Sequence, residues 1–239
     1  MTDFLYRYPP LLPGKLLKRY KRFFAEIHLT TGETILAHCP NTGPMTSIST
    51  VDSPVQVSRS ENPNRKLAYT WEMIEVYDPE PTWVGVNTSK PNSVVRQLLE
   101  NRLLPELGAY DVIRGEVAYG QEKSRVDFLL TGAAIKPTYI EVKSTTWADG
   151  DCALFPDTVT TRGQKHLREL QALLPEARVC MLYFINRGDC TAFSPGDSRD
   201  PHYGTLLREA VAAGLEVYPC RFQISPQGIQ YLGLAELQL

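Results

Sequence analysis

The chain has 239 residues, 43% hydrophobic and 22% charged, and its 25 Lys and Arg against 27 Asp and Glu leave a formal net charge of -2. This profile excludes a disordered polymer and fits one large domain or two smaller ones. The charge balance also removes the whole-molecule argument for nucleic-acid binding, which usually starts from a strongly basic sum.

No apolar run approaches the roughly 18 residues of a membrane span. The first ten residues lack the charged-then-apolar layout of a signal peptide. The five cysteines are scattered, with no CxxC spacing, so neither a disulfide framework nor a structural zinc site is expected. The expected protein is reduced and cytoplasmic, with no membrane partner.

Taken in chain order, residues 22–29 and 34–37 flank Thr30-Thr31-Gly32-Glu33 and read as a hairpin. Further short strands are expected over 55–59, 67–77 and 83–87, with no amphipathic helix among them. Such a series predicts a small OB-like β-barrel, assigned here to residues 1–88. Arg7, Lys15, Lys18, Arg19, Lys21 and Arg22 lie in a stretch with no intervening acid, interleaved with Tyr6, Tyr8, Tyr20, Phe23 and Phe24. Cations track a phosphate backbone and aromatic faces stack on bases, so Lys18, Arg19, Lys21 and Arg22 are candidate nucleic-acid contacts. On a strand Phe23 and Phe24 point oppositely, so at least one is expected in the core. Arg65 and Lys66, in a turn-rich stretch with Arg59, form a second candidate patch, and Trp71 is expected in the core. His38 and Cys39 would face opposite ways and share no metal, and residues 40–44 read as a tight turn.

From residue 89 the pattern mixes helices and strands. Val94, Val95, Leu98, Leu99 and Leu103 recur at helical spacing, with Ser93 as a candidate cap. Strands are expected over 115–119, 125–130 and 139–144. A helix over 163–174, a buried strand over 179–185, a helix carrying Tyr203 to Val211 and stopped by Gly214, and a strand over 216–222 follow. The first three strands should pair antiparallel, and the strand after the long helix can join in parallel. This predicts a mixed sheet with helices on both faces.

Chemistry concentrates between Glu116 and Lys165. Alternation puts Val126, Phe128 and Leu130 on one face and Asp127 on the other. It likewise separates Ile140 and Val142 from Glu141 and Lys143. If the two strands are neighbours, Asp127, Glu141 and Lys143 converge. Two carboxylates, with the Val142 carbonyl, suit a hard divalent cation such as Mg²⁺ or Mn²⁺. Such an ion acidifies a bound water and offsets charge on a transferring phosphoryl group, and Lys143 would orient the water. Glu116 is a candidate ligand for a second metal. A lone Glu-x-Lys is more often a solvated face or an ion pair than a site; the Asp on the preceding strand raises its standing. The stretch Thr160 to His166 opens a helix beside this region. Arg162, Gln164, Lys165 and His166 are therefore candidates to touch phosphate or to support the centre, His166 only through its neighbours, and Arg125 would touch phosphate or pair with Glu141.

Val126-Asp127 followed by Glu141-Val142-Lys143 resembles the PD-(D/E)xK nuclease signature, with Val126 in place of the proline. Adding residues 19–23, 38–45, 124–128, 139–144, 155–157 and 160–170, the chain resembles the sugar fermentation stimulation protein A (SfsA) family. That resemblance implies an N-terminal OB-like domain, a restriction-endonuclease-like domain over residues 89–239, and DNA binding with little sequence preference. It also implies a regulatory role in sugar (maltose) metabolism, without establishing cleavage. Two functions therefore stand side by side: a metal-dependent phosphodiesterase, and a non-catalytic DNA-binding regulator. A homodimer is compatible with either.

Overall fold

A short strand β1 (Tyr6–Arg7) precedes β2 (Leu12–Tyr20), β3 (Phe24–Leu29), β4 (Thr34–His38), β5 (Pro54–Arg59), β6 (Tyr69–Tyr77) and β7 (Pro81–Gly85). These coordinates come from a computed structural model that describes residues 4–78, 80–120, 124–133 and 135–239. Strands β2 to β7 form one sheet in the order β4-β3-β2-β5-β6-β7, and a parallel pairing of β4 with β6 closes it into the OB-like barrel. Alternation supplies the barrel core: Ala25, Ile27 and Leu29 from β3, Ile35 and Ala37 from β4, Val55 and Val57 from β5, with Trp71 fully buried among them.

The phase of the first hairpin differs from expectation. Lys21 and Arg22 adopt positive φ, 49° and 62°, and form a turn before β3 starts at Phe24. The turn resets the alternation, so Ala25 points inward. Phe24 takes the outer face and Phe23 stands exposed in the turn; neither belongs to the barrel core.

The second region begins with α1 (Lys90–Glu100), then β8 (Val112–Tyr119), β9 (Ser124–Gly132), β10 (Ile135–Thr145), β11 (Trp147–Asp149), β12 (Cys152–Phe155) and α2 (Thr161–Gln171). It continues with β13 (Arg178–Ile185), β14 (Ala192–Pro195), α3 (Pro201–Ala212), β15 (Glu216–Ser225), β16 (Gly228–Leu234) and β17 (Glu236–Leu237). The main sheet has seven strands in the order β1-β16-β15-β13-β10-β9-β8. Strands β8, β9 and β10 are antiparallel, whereas β10, β13 and β15 run parallel, as expected of strands separated by helices. One face packs on α1 through Val95, Leu98, Phe128, Ile140 and Leu182; the other packs on α2 and α3 through Leu167, Leu170, Met181, Tyr183 and Leu207.

One local expectation changes and another holds. Helix α1 starts at Lys90, with Ser89 at its N-cap position, so Ser93 lies inside the first turn and its hydroxyl donates back to the Lys90 carbonyl. Gly214 does end α3: at φ +111° it lets Leu215 N reach the Ala210 carbonyl at 2.9 Å.

The barrel is fastened to the main sheet. Gly85 N donates to Asn186 O at 2.9 Å, and the buried Arg187 pairs with Asp78 and Asp189. Strand β1 pairs with β16 rather than with any barrel strand. The residues before β2 thus belong to the larger sheet, and the basic run from Arg7 to Arg22 is split between two bodies.

Candidate metal centre and nucleic-acid face

Strands β9 and β10 pair as far as Phe128 opposite Ile140, and there the ladder stops. One residue on, Asp127 turns its carboxylate into the gap: Oδ2 accepts from Val142 N at 2.7 Å, and Oδ1 accepts from Asn92 Nδ2 of α1 at 2.6 Å. The side chain has replaced the missing strand-to-strand bond. The same divergence corrects the expected phase of β9. Phe128 and Leu130 join the core beneath α1, but Val126 joins the core beneath α2.

Glu141 and Lys143 project together towards α2, as alternation requires. Lys143 Nζ donates to Glu141 Oε1 at 2.6 Å, and His166 Nδ1 donates to the same oxygen. Arg162 Nε lies 3.5 Å from His166 Nε2, which suits an imidazole carrying its proton on Nδ1. Burial by itself would lift the Glu141 carboxyl, but Lys143 and His166 outweigh it and hold the group below the usual carboxylate range. Asp127 goes the other way. Burial, and then the charge of Glu141, raise its carboxyl above the usual range against the opposing Val142 N–H, Asn92 and Lys143.

Among the described residues, two buried oxygens in this centre have no hydrogen-bond partner: Glu141 Oε2 and the Tyr119 hydroxyl. Burial, followed by the charges of Glu141, Glu169 and Asp127, drives the Tyr119 phenol well above its ordinary range. Orphaned buried oxygens beside carboxylates fit an oxygen-ligated cation or an ordered water. Among the described residues no three His, Cys, Asp or Glu side chains are gathered as metal ligands. A cation here would rest on Asp127, Glu141, the Val142 carbonyl and water.

Other expected members fare unequally. Glu116 is exposed at φ +54°, between the paired positions Gly115 and Val117, and its carboxylate contacts no described polar group. The left-handed residue interrupts β8 where Glu116 would have faced Asp127, so the structure does not bring it into the centre. Arg125 is exposed and does not pair with Glu141, whose Oε1 is already held by Lys143 and His166. Gln164 is structural: its amide donates to both Asp200 oxygens at 3.0 Å, tying α2 to the cap of α3. The amino end of α2 is also partly satisfied, since Thr160 Oγ1 accepts from Gly163 N at 3.1 Å. A Cβ at position 163 would lie 2.7 Å from Thr160 Cγ2, so glycine permits that cap. Arg162 is exposed on the first turn and Lys165 is half-buried on the same helix. His166, Glu169 and Tyr119 complete the centre. Glu169 accepts from Ser124 Oγ, a contact between α2 and β9.

On the barrel, Arg19 is not a free cation. Its guanidinium donates to the carbonyls of Asn41 at 2.9 Å and Gly43 at 2.8 Å, bracing the turn that follows β4. Lys18, Lys21, Arg22, Arg65 and Lys66 are exposed and form no ion pair with a described residue. A groove of about 300 Å³ is lined by Phe23, Phe24, His38, Arg65, Lys66 and Leu67, so the second basic patch meets the two rings that follow Lys21 and Arg22 in sequence. Burial, then the Arg65 guanidinium, hold His38 below the usual histidine range.

Residues 17–86 match the family description "SfsA N-terminal OB domain", and residues 89–228 match "Sugar fermentation stimulation protein RE domain". The chain belongs to the sugar fermentation stimulation protein (SfsA) family. A "Sugar fermentation stimulation protein homolog" of Cyanothece sp. (strain PCC 7425) is 70% identical over 239 residues, covering 100% of both chains. A homolog of the same description from Nostoc sp. (strain PCC 7120) is 67% identical, covering 99% of each. The structure of Pyrococcus furiosus SfsA in complex with Ca²⁺ superposes with a TM-score of 0.89 at 25% identity, over 99% of this chain and 100% of that one. The OB-like barrel and the PD-(D/E)xK-like sheet are thus family architecture. No helix among the described residues is long and apolar enough to cross a membrane.

Proposed function

We propose that this SfsA-family chain is a DNA-binding regulatory protein of sugar metabolism, with little sequence preference and with its main contact surface on the barrel. The observation that carries this reading is a groove that joins Arg65 and Lys66 to the Phe23 and Phe24 rings, with the exposed Lys21 and Arg22 next to Phe23 in the chain. Unpaired cations neutralise phosphates whatever the sequence, and they leave base identity unread. The family's printed name supports the regulatory half of the reading.

A second reading, a metal-dependent phosphodiesterase, is favoured by the unpartnered Glu141 Oε2. Asp127, Glu141 and the Val142 carbonyl would hold Mg²⁺ or Mn²⁺, and the Pyrococcus relative, described in complex with Ca²⁺, supports a hard cation in this family. When bound, the ion supplies Lewis acidity for a phosphoryl oxygen and acidifies water. The chain's own part is to orient the two carboxylates through Asn92, Val142 N and His166. Lys143 would offset charge on a phosphate held beside it. Lys143 is bound to Glu141 Oε1, and it would have to share or leave that contact to act.

Fluorescence anisotropy with labelled DNA, in chelator and then in Mg²⁺ or Mn²⁺, separates the two. The regulator reading expects binding without metal, unchanged by Glu141→Gln, and intact DNA after prolonged incubation. Metal-dependent cleavage that disappears in Asp127→Ala and Lys143→Ala would establish the phosphodiesterase instead. Absence of binding at low salt would refute both.

A further inference from the structure

We infer that the barrel groove receives an unstacked nucleobase, so that the DNA held there is single-stranded or locally opened rather than an intact duplex. The inference rests on the DNA-binding reading and names the form of DNA.

The strand register builds the floor. Tyr20 is opposite Phe24, Phe24 is opposite His38, and His38 is opposite Thr70. Cross-strand partners share a face, and this face is the outer one, because Ala25 and Ala37 fill the inward positions. A transverse row of rings therefore crosses the barrel exterior. The Tyr20 and Phe24 rings stack with centroids 5.5 Å apart. Burial against the barrel, followed by the Arg65 charge, holds His38 below the usual histidine range, which favours the uncharged ring and its flat π-face.

The wall is Phe23. Half of this residue is exposed, at 50%, in a turn whose Lys21 and Arg22 adopt unfavourable positive φ. An apolar ring held out beside two cations contributes nothing to the barrel core, and a partner with a π-face would cover it. A second lining residue is fixed as well: Arg65 Nη2 donates to Thr70 Oγ1 at 2.7 Å, holding the guanidinium against β6.

Charge complementarity selects the occupant. The groove is lined by Arg65 and Lys66 beside the rings, and Lys21 and Arg22 precede Phe23 in the same turn; none of the four is in an ion pair with a described acid. A nucleotide matches both features, with an aromatic face for the rings and a phosphate for the cations. In a duplex the base faces are stacked on each other, so only an unstacked base can offer one.

The test uses the full chain with three labelled probes of equal length at one salt concentration: a single strand, its blunt duplex, and the same strand carrying abasic sites. Phe23→Ala and Phe23→Trp are measured beside the wild type, with thermal unfolding as the folding control. The single strand should bind more tightly than the duplex. Phe23→Ala should weaken it by about five- to a hundredfold, from the range for one lost base–aromatic stack, and Phe23→Trp should restore it. The abasic strand should bind the wild type weakly and show no dependence on Phe23. Equal binding of abasic and intact strands, or a Phe23→Ala variant that binds the single strand normally, would overturn the inference while leaving DNA binding intact. So would a poly-glutamate competitor that binds as tightly with the same Phe23 dependence, which would make the groove a peptide site. Failure of all three probes at low salt would instead overturn DNA binding itself.

Discussion

The carboxylate centre and the barrel face both concentrate charge, and they treat it oppositely. At the centre Lys143 and His166 converge on Glu141 Oε1, and Asp127 is caught between Val142 N and Asn92. On the barrel, Lys21, Arg22, Arg65 and Lys66 are exposed, and none is paired with a described acid. Charges in the first region are satisfied by folding; those in the second are left for something else to satisfy. The net charge of -2 hides this. Residues 1–88 hold nine basic and nine acidic groups, so even the barrel segment sums to zero. On the proposed reading, the placement of the cations, rather than their number, would make the barrel the phosphate-binding face.

Substitutions sharpen the contrast. The largest loss of stability is expected from Glu141→Ala, which leaves Lys143 and His166 facing each other without their shared acceptor. Breaking a buried pair in this way costs about 3–5 kcal/mol, readable by chemical denaturation, and Glu141→Gln should cost less.

Arg19→Ala comes next. Losing the guanidinium bonds to Asn41 and Gly43 should cost about 1.5–3 kcal/mol, the range for hydrogen bonds to a charged group. The salt dependence of DNA binding should not change, because Arg19 is a brace and not one of the four exposed cations.

A smaller effect of opposite sign is expected at Asp127. Its folded carboxyl titrates above the unfolded value, so the folded state holds the proton more tightly and this group's contribution to stability falls as pH rises through that window. Asp127→Asn should therefore raise the melting temperature at neutral pH, with the gain vanishing in acid. Glu141 has the reverse sign: its folded carboxyl lies below the unfolded value, so its contribution is present above the unfolded value and lost as pH falls through the folded one. Melting curves of the wild type, Asp127→Asn and Glu141→Gln across acid to neutral pH check both signs. The smallest effect on stability, within about 0.5 kcal/mol, is expected when Lys21, Arg22, Arg65 or Lys66 is replaced singly by Ala.

Much of this arrangement is readable from local pattern. Alternation along β10 places Glu141 and Lys143 together, and the spacing of apolar residues finds the helices and the parallel strand β13. What escapes is set by tertiary geometry. Val126 changes face because β9 and β10 part at Asp127, and no periodicity records such a separation. His166 reaches Glu141 from α2, 25 positions away in sequence. Its position beside Arg162 and Lys165 marks it as a candidate, but not as the partner of Glu141. Gln164 looks like a phosphate contact until Asp200 occupies it. Positive φ at Lys21 and Arg22 runs against residue preference, so the reset that exposes Phe23 is invisible to propensity. Strand β1 crosses to β16 through pairing of the two ends of the chain, which composition cannot foresee.

The central claim, that unpaired barrel cations hold DNA while the carboxylate centre keeps its charges to itself, is tested most directly by the salt dependence of binding. The slope of log affinity against log salt should fall by about 0.7–0.9 for each phosphate contact removed when Lys21, Arg22, Arg65 and Lys66 are replaced by Ala. Lys143→Ala should leave that slope as it is. An unchanged slope in the barrel variant, or an equal fall in Lys143→Ala, would contradict the account.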